Sequence, residues 1–148
     1  MSLEKKVMEQ LKTAMKAKDK TALEALRAIK SAILLEKTKG GDAGLTEADE
    51  MKLLQKMVKQ RRDSAEIYSQ QNREDLAQAE LDQVAVIEQF LPKQMSKEEI
   101  TAVVEDIITQ IGAESMKDMG KVMGIANKEM AGKADGSIIA QIVKEKLS

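Results

Sequence analysis

Few residue types in this chain are suited to catalysis or metal binding. The residue types that are absent exclude most kinds of catalytic and metal site. The 148 residues include no Cys, no His and no Trp, and the aromatics are Tyr68 and Phe90. Without Cys there is no disulfide or thiolate nucleophile, and without His or Cys an ordinary zinc site is excluded. A serine–histidine triad is impossible, and two aromatics are too few for base-stacking platforms. We therefore expect no catalytic residue, no cofactor and no metal.

Two charged residues interrupt apolar helical stripes. Arg61 falls among Leu54, Met57 and Val58, and Glu80 lies on the apolar face of the following segment. Because taking an ion out of water costs several kcal/mol, such charges need partners. The sequence predicts an internal Arg61–Glu80 ion pair that sets the register of two helices. The alternative is an exposed ligand-binding pair in a groove.

Basic residues form two clusters although the whole chain is balanced, with 24 basic and 25 acidic residues. Residues 51–62 contain five basic side chains and no carboxylate, and Lys52, Lys56 and Lys59 share the face opposite the apolar stripe. A second basic cluster spans Lys16 to Lys39. Such faces suit phosphate groups, since folded RNA is held largely through its backbone charge. The alternative is an ordinary solvated helix face.

Two glycines stand four residues apart in a helical pattern near the C-terminus. Gly120 and Gly124 each cost about 1 kcal/mol relative to Ala, so close approach of a helix or a partner is expected there. Several of the ten methionines surround them, which is typical of an adaptable core or, less often, of a partner-binding surface.

Apolar residues recur at helical spacing along nearly the whole chain, which predicts an all-α protein. The segment at Ile100 to Ile111 is rich in β-branched residues, but its repeat is helical rather than alternating. Pro92 ends the fourth segment and predicts a boundary between a four-helix N-terminal region, residues 1–95, and a three-helix C-terminal bundle, residues 96–148. The seven predicted helices are residues 2–18, 20–37, 46–70, 72–91, 96–111, 115–130 and 135–147.

Capping residues mark several of these helix ends. Ser96 followed by Glu99 has the spacing of a capping box, Asn72 and Asp135 are predicted N-caps, and Gly112 stands where a C′ glycine belongs. Glycines at 40, 41 and 44 predict a loop. The first residues lack the apolar run of a signal peptide, and no apolar run reaches membrane-spanning length. We expect a soluble, cytoplasmic protein without a membrane partner.

Several motifs resemble those of the YqeY-like proteins and of the tail domain of the aspartyl/glutamyl-tRNA amidotransferase B subunit. The tail-domain likeness is strongest over residues 96–148, and the turn at 132–135 (GKAD) is its most specific part. The motifs are residues 26–32 (LRAIKSA), 59–64 (KQRRDS), 90–95 (FLPKQM), 118–124 (DMGKVMG), 132–137 (GKADGS) and 142–147 (IVKEKL).

The resemblance implies the same four-plus-three helix arrangement and a role in binding. In the amidotransferase the tail helps to hold tRNA while the reaction occurs on domains that this chain lacks. Carried over by position, the implied tRNA contacts are Lys117, Lys121, Lys128 and Lys133.

Three functional hypotheses follow. The first is a non-catalytic module that binds tRNA, with an amidotransferase or tRNA synthetase complex as its partner. The second is a protein-interaction adaptor that uses the glycine–methionine helix. The third is a component of a glutamine-dependent carbon–nitrogen ligase, for which this chain has neither a nucleophile nor a nucleotide-binding motif.

Overall fold

The computed structural model describes residues 2–40 and 44–148, and every regular element within them is helical. The prediction of an all-α protein is therefore confirmed. The predicted loop at glycines 40, 41 and 44 lies partly outside the described residues, because 41–43 are not among them. The α-helices are α1 (Leu3–Ala17), α2 (Lys20–Lys39), α3 (Glu47–Gln70), α4 (Glu74–Glu88), α5 (Lys97–Ile111), α6 (Met119–Glu129) and α7 (Gly136–Leu147).

The chain divides into two compact units, Met1–Pro92 and Lys93–Ser148, each with its own apolar core. In the first unit α1 packs along α2, α2 packs against α4, and α4 packs against α3. In the second unit α5, α6 and α7 pack on one another, and a short 3₁₀ helix at Met116–Asp118 leads into α6. The division into two domains at residue 95 stays a prediction.

The predicted capping signals position α5 and α7. Ser96 Oγ accepts the backbone N–H of Glu99, and Glu99 Oε1 accepts the N–H of Ser96, both at 3.1 Å, which confirms the capping box. Gly112 ends α5 with a φ of +67°, a left-handed conformation in which glycine meets no steric penalty. Asp135 Oδ1 accepts the N–H of Ser137 at 2.8 Å and so caps α7 as predicted.

The prediction that Asn72 caps α4 is wrong. Asn72 has a φ of +61° and donates its N–H to the carbonyl of Ser69, so it closes the end of α3 instead. Asparagine is among the few non-glycine residues that tolerate this left-handed conformation. The residue before α4 is Arg73, which makes no side-chain capping bond to the helix.

The first turn of the predicted sixth helix also differs from expectation. Ser115 Oγ accepts the N–H of Lys117, which starts the 3₁₀ helix, and the α-helix itself begins only at Met119. None of the helices in the described ranges is long and apolar enough to span a bilayer.

Candidate nucleic-acid interface

Helix α6 is held by one face and presents the other to solvent. Val122 and Ala126 are completely buried in the core of the second unit. Lys121 and Lys128 are seven residues apart, hence on one side of the helix, and both are exposed. Lys117, in the preceding 3₁₀ turn, is exposed as well. The predicted tRNA contacts of this segment therefore lie on a solvent-facing surface, opposite the side that packs.

The two glycines of α6 are not explained by packing within the described chain. Both Gly120 and Gly124 are exposed, and a Cβ atom built on either would meet nothing within 4 Å. Together with Lys121, Ile125, Lys128 and Glu129 they line an open depression on the helix surface. The sequence-based expectation of a close approach is therefore not met by a neighbouring helix in this part of the chain.

The turn after α6 is fixed by residues that precede α5. The Gly132 carbonyl accepts the side-chain Nε2 of Gln94 at 2.8 Å, and the Lys133 carbonyl accepts the N–H of Met95 at 2.9 Å. Gly132 is buried with a φ of +76°, which favours glycine, while the Lys133 side chain is exposed. Sequence reasoning assigned no role to Gln94 or Met95, although both stand in a motif used for the family resemblance.

In the described chain, the lysines of this surface form no ion pair, and one of them, Lys121, acts on the carboxylate of Asp118 through its charge alone. Across residues 2–40 and 44–148, no ion pair involves any of the four lysines at 117, 121, 128 and 133. The acidic residues between them are Asp118 and Glu129. Asp118 accepts the N–H of Glu114 at 3.0 Å, and this hydrogen bond holds the pKa of its carboxyl below the ordinary value, so it stays ionised. Four cations against two carboxylates leave this segment positively charged.

The predicted lysine face on α3 is exposed but more nearly neutral. Lys52, Lys56 and Lys59 all reach solvent. Lys59 Nζ lies 3.3 Å from Asp63 Oδ2. The pKa of Asp49 is lowered by its hydrogen bonds with Thr46 and, to a smaller extent, by the charge of Lys52. Carboxylates thus act on two of these three lysines, compared with one of the four at 117, 121, 128 and 133, so the face on α6 is the stronger candidate.

The expected Arg61–Glu80 ion pair is replaced by another contact. Arg61 Nε donates to Gln83 Oε1 at 3.0 Å and Nη1 donates to the Met57 carbonyl at 3.2 Å, and in the part of the chain that the structure describes no ion pair joins Arg61 to Glu80. Both charged side chains are only half-buried, so water can solvate them and pairing is not forced.

Gln83, which sequence reasoning missed, links three helices of the first unit. Its Nε2 donates to Glu24 Oε2 on α2 at 3.2 Å, while its Oε1 receives Arg61 of α3. The contact joins helices within the first unit, and its partner is Gln83 rather than the predicted Glu80. Gln83 lies one turn after Glu80, and a search for opposite charges passes over a neutral amide.

Within the described ranges, no group of three or more His, Cys, Asp or Glu residues is placed to hold a metal ion. Helix α6 is thus anchored by its apolar face, and its exposed side carries lysines and two glycines that leave the backbone uncovered. Clustered exposed cations raise the local positive potential, which attracts negatively charged groups.

Comparison with known proteins identifies the family. The model of the family described as Yqey-like protein matches residues 4–147, and the chain belongs to this family. The expected relation to amidotransferases is also found: the chain is 44% identical over 57 residues to a glutamyl-tRNA(Gln) amidotransferase subunit of Methanobrevibacter smithii. That match covers 36% of this chain and 9% of the archaeal protein.

Longer matches are found to two yeast proteins, each called "Altered inheritance of mitochondria protein 41, mitochondrial". The protein of Clavispora lusitaniae is 34% identical over 124 residues, which cover 82% of this chain and 72% of the yeast protein. That of Meyerozyma guilliermondii is 35% identical over 115 residues, covering 76% and 57% of the two chains.

Proposed function

We propose that this protein is a non-catalytic module of the tRNA-dependent amidotransferase system and that it contacts tRNA through α6 and the turn after it. The observation that carries the proposal is the exposed set of lysines at Lys117, Lys121, Lys128 and Lys133, none of which forms an ion pair among the described residues, together with two uncovered glycines. We name it the α6 lysine face.

The physical argument concerns how closely a phosphate backbone can approach a helix. Lysine ammonium groups supply charge, and binding releases the counterions condensed on the RNA. At Gly120 and Gly124 no side chain stands between a ligand and the helix backbone, so a sugar–phosphate strand can lie against it. The archaeal relative is named as part of a glutamyl-tRNA(Gln) amidotransferase, which supports tRNA as the RNA class. The short match to that relative favours a binding role, with the chemistry on another chain.

The test is salt-dependent binding of the full-length protein to unfractionated tRNA. Lys121→Gln and Lys128→Gln should each bind more weakly and each lower the slope of log affinity against log salt by about 1, for one lost phosphate contact. Lys144→Gln, at an exposed position on α7, removes the same single charge and is the control, which should leave the affinity nearly unchanged. An effect of Lys144→Gln equal to those at 121 and 128, or no tRNA binding at low salt, would refute the proposal.

A second candidate function, a protein-interaction adaptor, is favoured by one observation. Met116, in the 3₁₀ turn four residues before Gly120, is 42% exposed, which gives this region some apolar surface. In that case Gly120→Leu should abolish a partner recovered in a nuclease-treated pull-down without changing the circular dichroism spectrum. If the partner is retained by Gly120→Leu, the adaptor function fails.

A cytoplasmic location stays a prediction.

A further inference from the structure

The first unit is divided by charge between its two helical pairs. Residues 2–40, which form α1 and α2, contain ten basic and five acidic residues, whereas residues 44–92, which form α3 and α4, contain six basic and ten acidic residues. This division is hidden in the net charge of −1 for the whole chain. The α1–α2 pair therefore presents a positive surface, while the other pair is negative.

An ion pair fixes how α1 and α2 lie side by side. Glu4 Oε2 and Lys37 Nζ are 2.5 Å apart, so the start of α1 lies beside the end of α2 and the helices run antiparallel. One turn further along each helix from this pair, Met8 of α1 comes level with the stretch of α2 that carries Leu34. Met15 lies seven residues beyond Met8, on the same side of α1.

These three apolar side chains are only partly covered by the described chain. Met8 is 37% exposed, Met15 is 59% exposed and Leu34 is 49% exposed. Met8 and Met15 each follow a buried residue of α1, Val7 and Ala14, but the helix packs chiefly along α2, so only its inner side is buried. We call the surface formed by Met8, Met15 and Leu34 the α1–α2 seam.

Lysines border this seam. Lys12 lies between the two methionines of α1 in sequence and is exposed, and Lys30 precedes Leu34 by one turn on α2. The exposed apolar residue Ile67, on α3, has different surroundings, because nearby residues of its helix include Glu66 and Asp63. An apolar stripe bordered by cations thus distinguishes the seam from an isolated surface side chain.

We propose that the α1–α2 seam docks an amphipathic helix of a partner protein, with apolar residues along its centre and carboxylates at its flanks. Two antiparallel helices form a groove that accepts a third, and Met8 and Met15 are separated along the axis by about 10 Å, the rise of two turns. Methionines adapt their shape to apolar partners, and the excess of ten basic over five acidic residues complements acidic flanks.

Other occupants fit the seam less well. RNA phosphates gain nothing from three apolar side chains, and both aromatics that could stack on bases, Tyr68 and Phe90, belong to other parts of the unit. A bilayer surface is usually met by a longer apolar face with Trp, Phe or Leu, whereas α1 offers two methionines here. The seam lies in the first unit, so the proposal does not depend on tRNA binding by the α6 lysine face.

The first experiment is photo-crosslinking in the cells that make the protein. Benzoylphenylalanine is placed at position 15 or position 34 in the full-length chain, with position 67 as the matched exposed control. We expect adducts from 15 and 34, but not from 67, to converge on one protein segment with a helical apolar repeat and flanking Asp or Glu. Adducts mainly to RNA or lipid, to a basic segment, or equally from all three positions would overturn the proposal.

The second experiment measures affinity for a synthetic peptide of the segment that the crosslinks identify. Met15→Lys and Leu34→Lys should each weaken binding at least tenfold, and higher salt should weaken binding by the wild-type protein. Ile67→Lys should change the affinity less than twofold. Circular dichroism verifies the fold of each variant. Wild-type affinity in the Met15 and Leu34 variants would refute the docking site.

Discussion

The same substitution should have opposite effects at two glycines of the second unit. Gly124 lies within α6, where a Cβ atom would meet nothing within 4 Å. Gly132 lies in the turn after α6, is buried, and has a φ of +76°. We therefore predict that Gly124→Ala stabilises the protein and that Gly132→Ala destabilises it.

The magnitudes follow from the two backbone conformations. In a helix interior Ala is favoured over Gly by about 1 kcal/mol, and at position 124 no steric clash opposes this gain. In the left-handed region an L-residue costs roughly 1–2 kcal/mol, which Gly132→Ala must bear. The free energies of unfolding of the two variants should therefore differ by about 2–3 kcal/mol.

Thermal unfolding followed by circular dichroism, with hydrogen exchange of the α6 amides, measures the effect where it occurs. For a chain of 148 residues 1 kcal/mol shifts Tm by about 2–4 °C, upward for Gly124→Ala and downward for Gly132→Ala. Gly132→Asn is the control, because Asn tolerates a positive φ and should recover part of the loss. A lower Tm for Gly124→Ala would show that its surface is covered, and an unchanged Tm for Gly132→Ala would refute the strain argument.

Two further predictions concern α5. The Ser96 N–H holds the pKa of Glu99 below its ordinary value of 4.5, so its stabilising effect is present above that pH and is lost as pH falls through the folded-state pKa. The Tm difference between wild type and Glu99→Gln should shrink on acidification in thermal melts, and a constant difference would contradict this. Ile107→Ala, at a side chain only 2% exposed, should lower the free energy of unfolding by about 2–5 kcal/mol in urea titrations. Ile111→Ala, on the same helix but 39% exposed, is the control and should cost much less.

The helical character of the segments could be predicted because it depends on residues close together in sequence. In α5, β-branched residues favour a strand locally, but Ile100, Val104 and Ile107 recur at helical spacing and all three are buried in the structure. The caps at Ser96 and Gly112 depend on bonds within a few residues, so the sequence alone contained the necessary information. The helical prediction therefore succeeded where propensity by itself was ambiguous.

The sequence was less informative where a result depends on neighbours distant along the chain. Met8 and Met15 stand at helical spacing next to the core residues of α1, but only helix packing decides how wide a stripe is covered, and both are exposed. Arg61 likewise needed a partner, and the pattern could not favour the amide of Gln83 over the carboxylate of Glu80. The predicted lysines of α6 are exposed as expected from their helical face, while their role in binding stays a proposal.

Both proposed surfaces share one physical feature. Each contains residues that lower the stability of the folded protein, and no contact within the described chain accounts for them. Helix α6 forgoes about 1 kcal/mol at each of its two glycines, which no neighbouring atom of the described residues explains. The α1–α2 seam leaves Met15 and Leu34 about half in water, where burial would stabilise them. Because one surface is cationic with bare backbone and the other is apolar with a cationic border, they suit different partners. A chain that binds tRNA with its second unit and a protein helix with its first would bring the two together. In that case Leu34→Lys should release the protein partner but leave tRNA bound, and Lys121→Gln with Lys128→Gln should do the reverse.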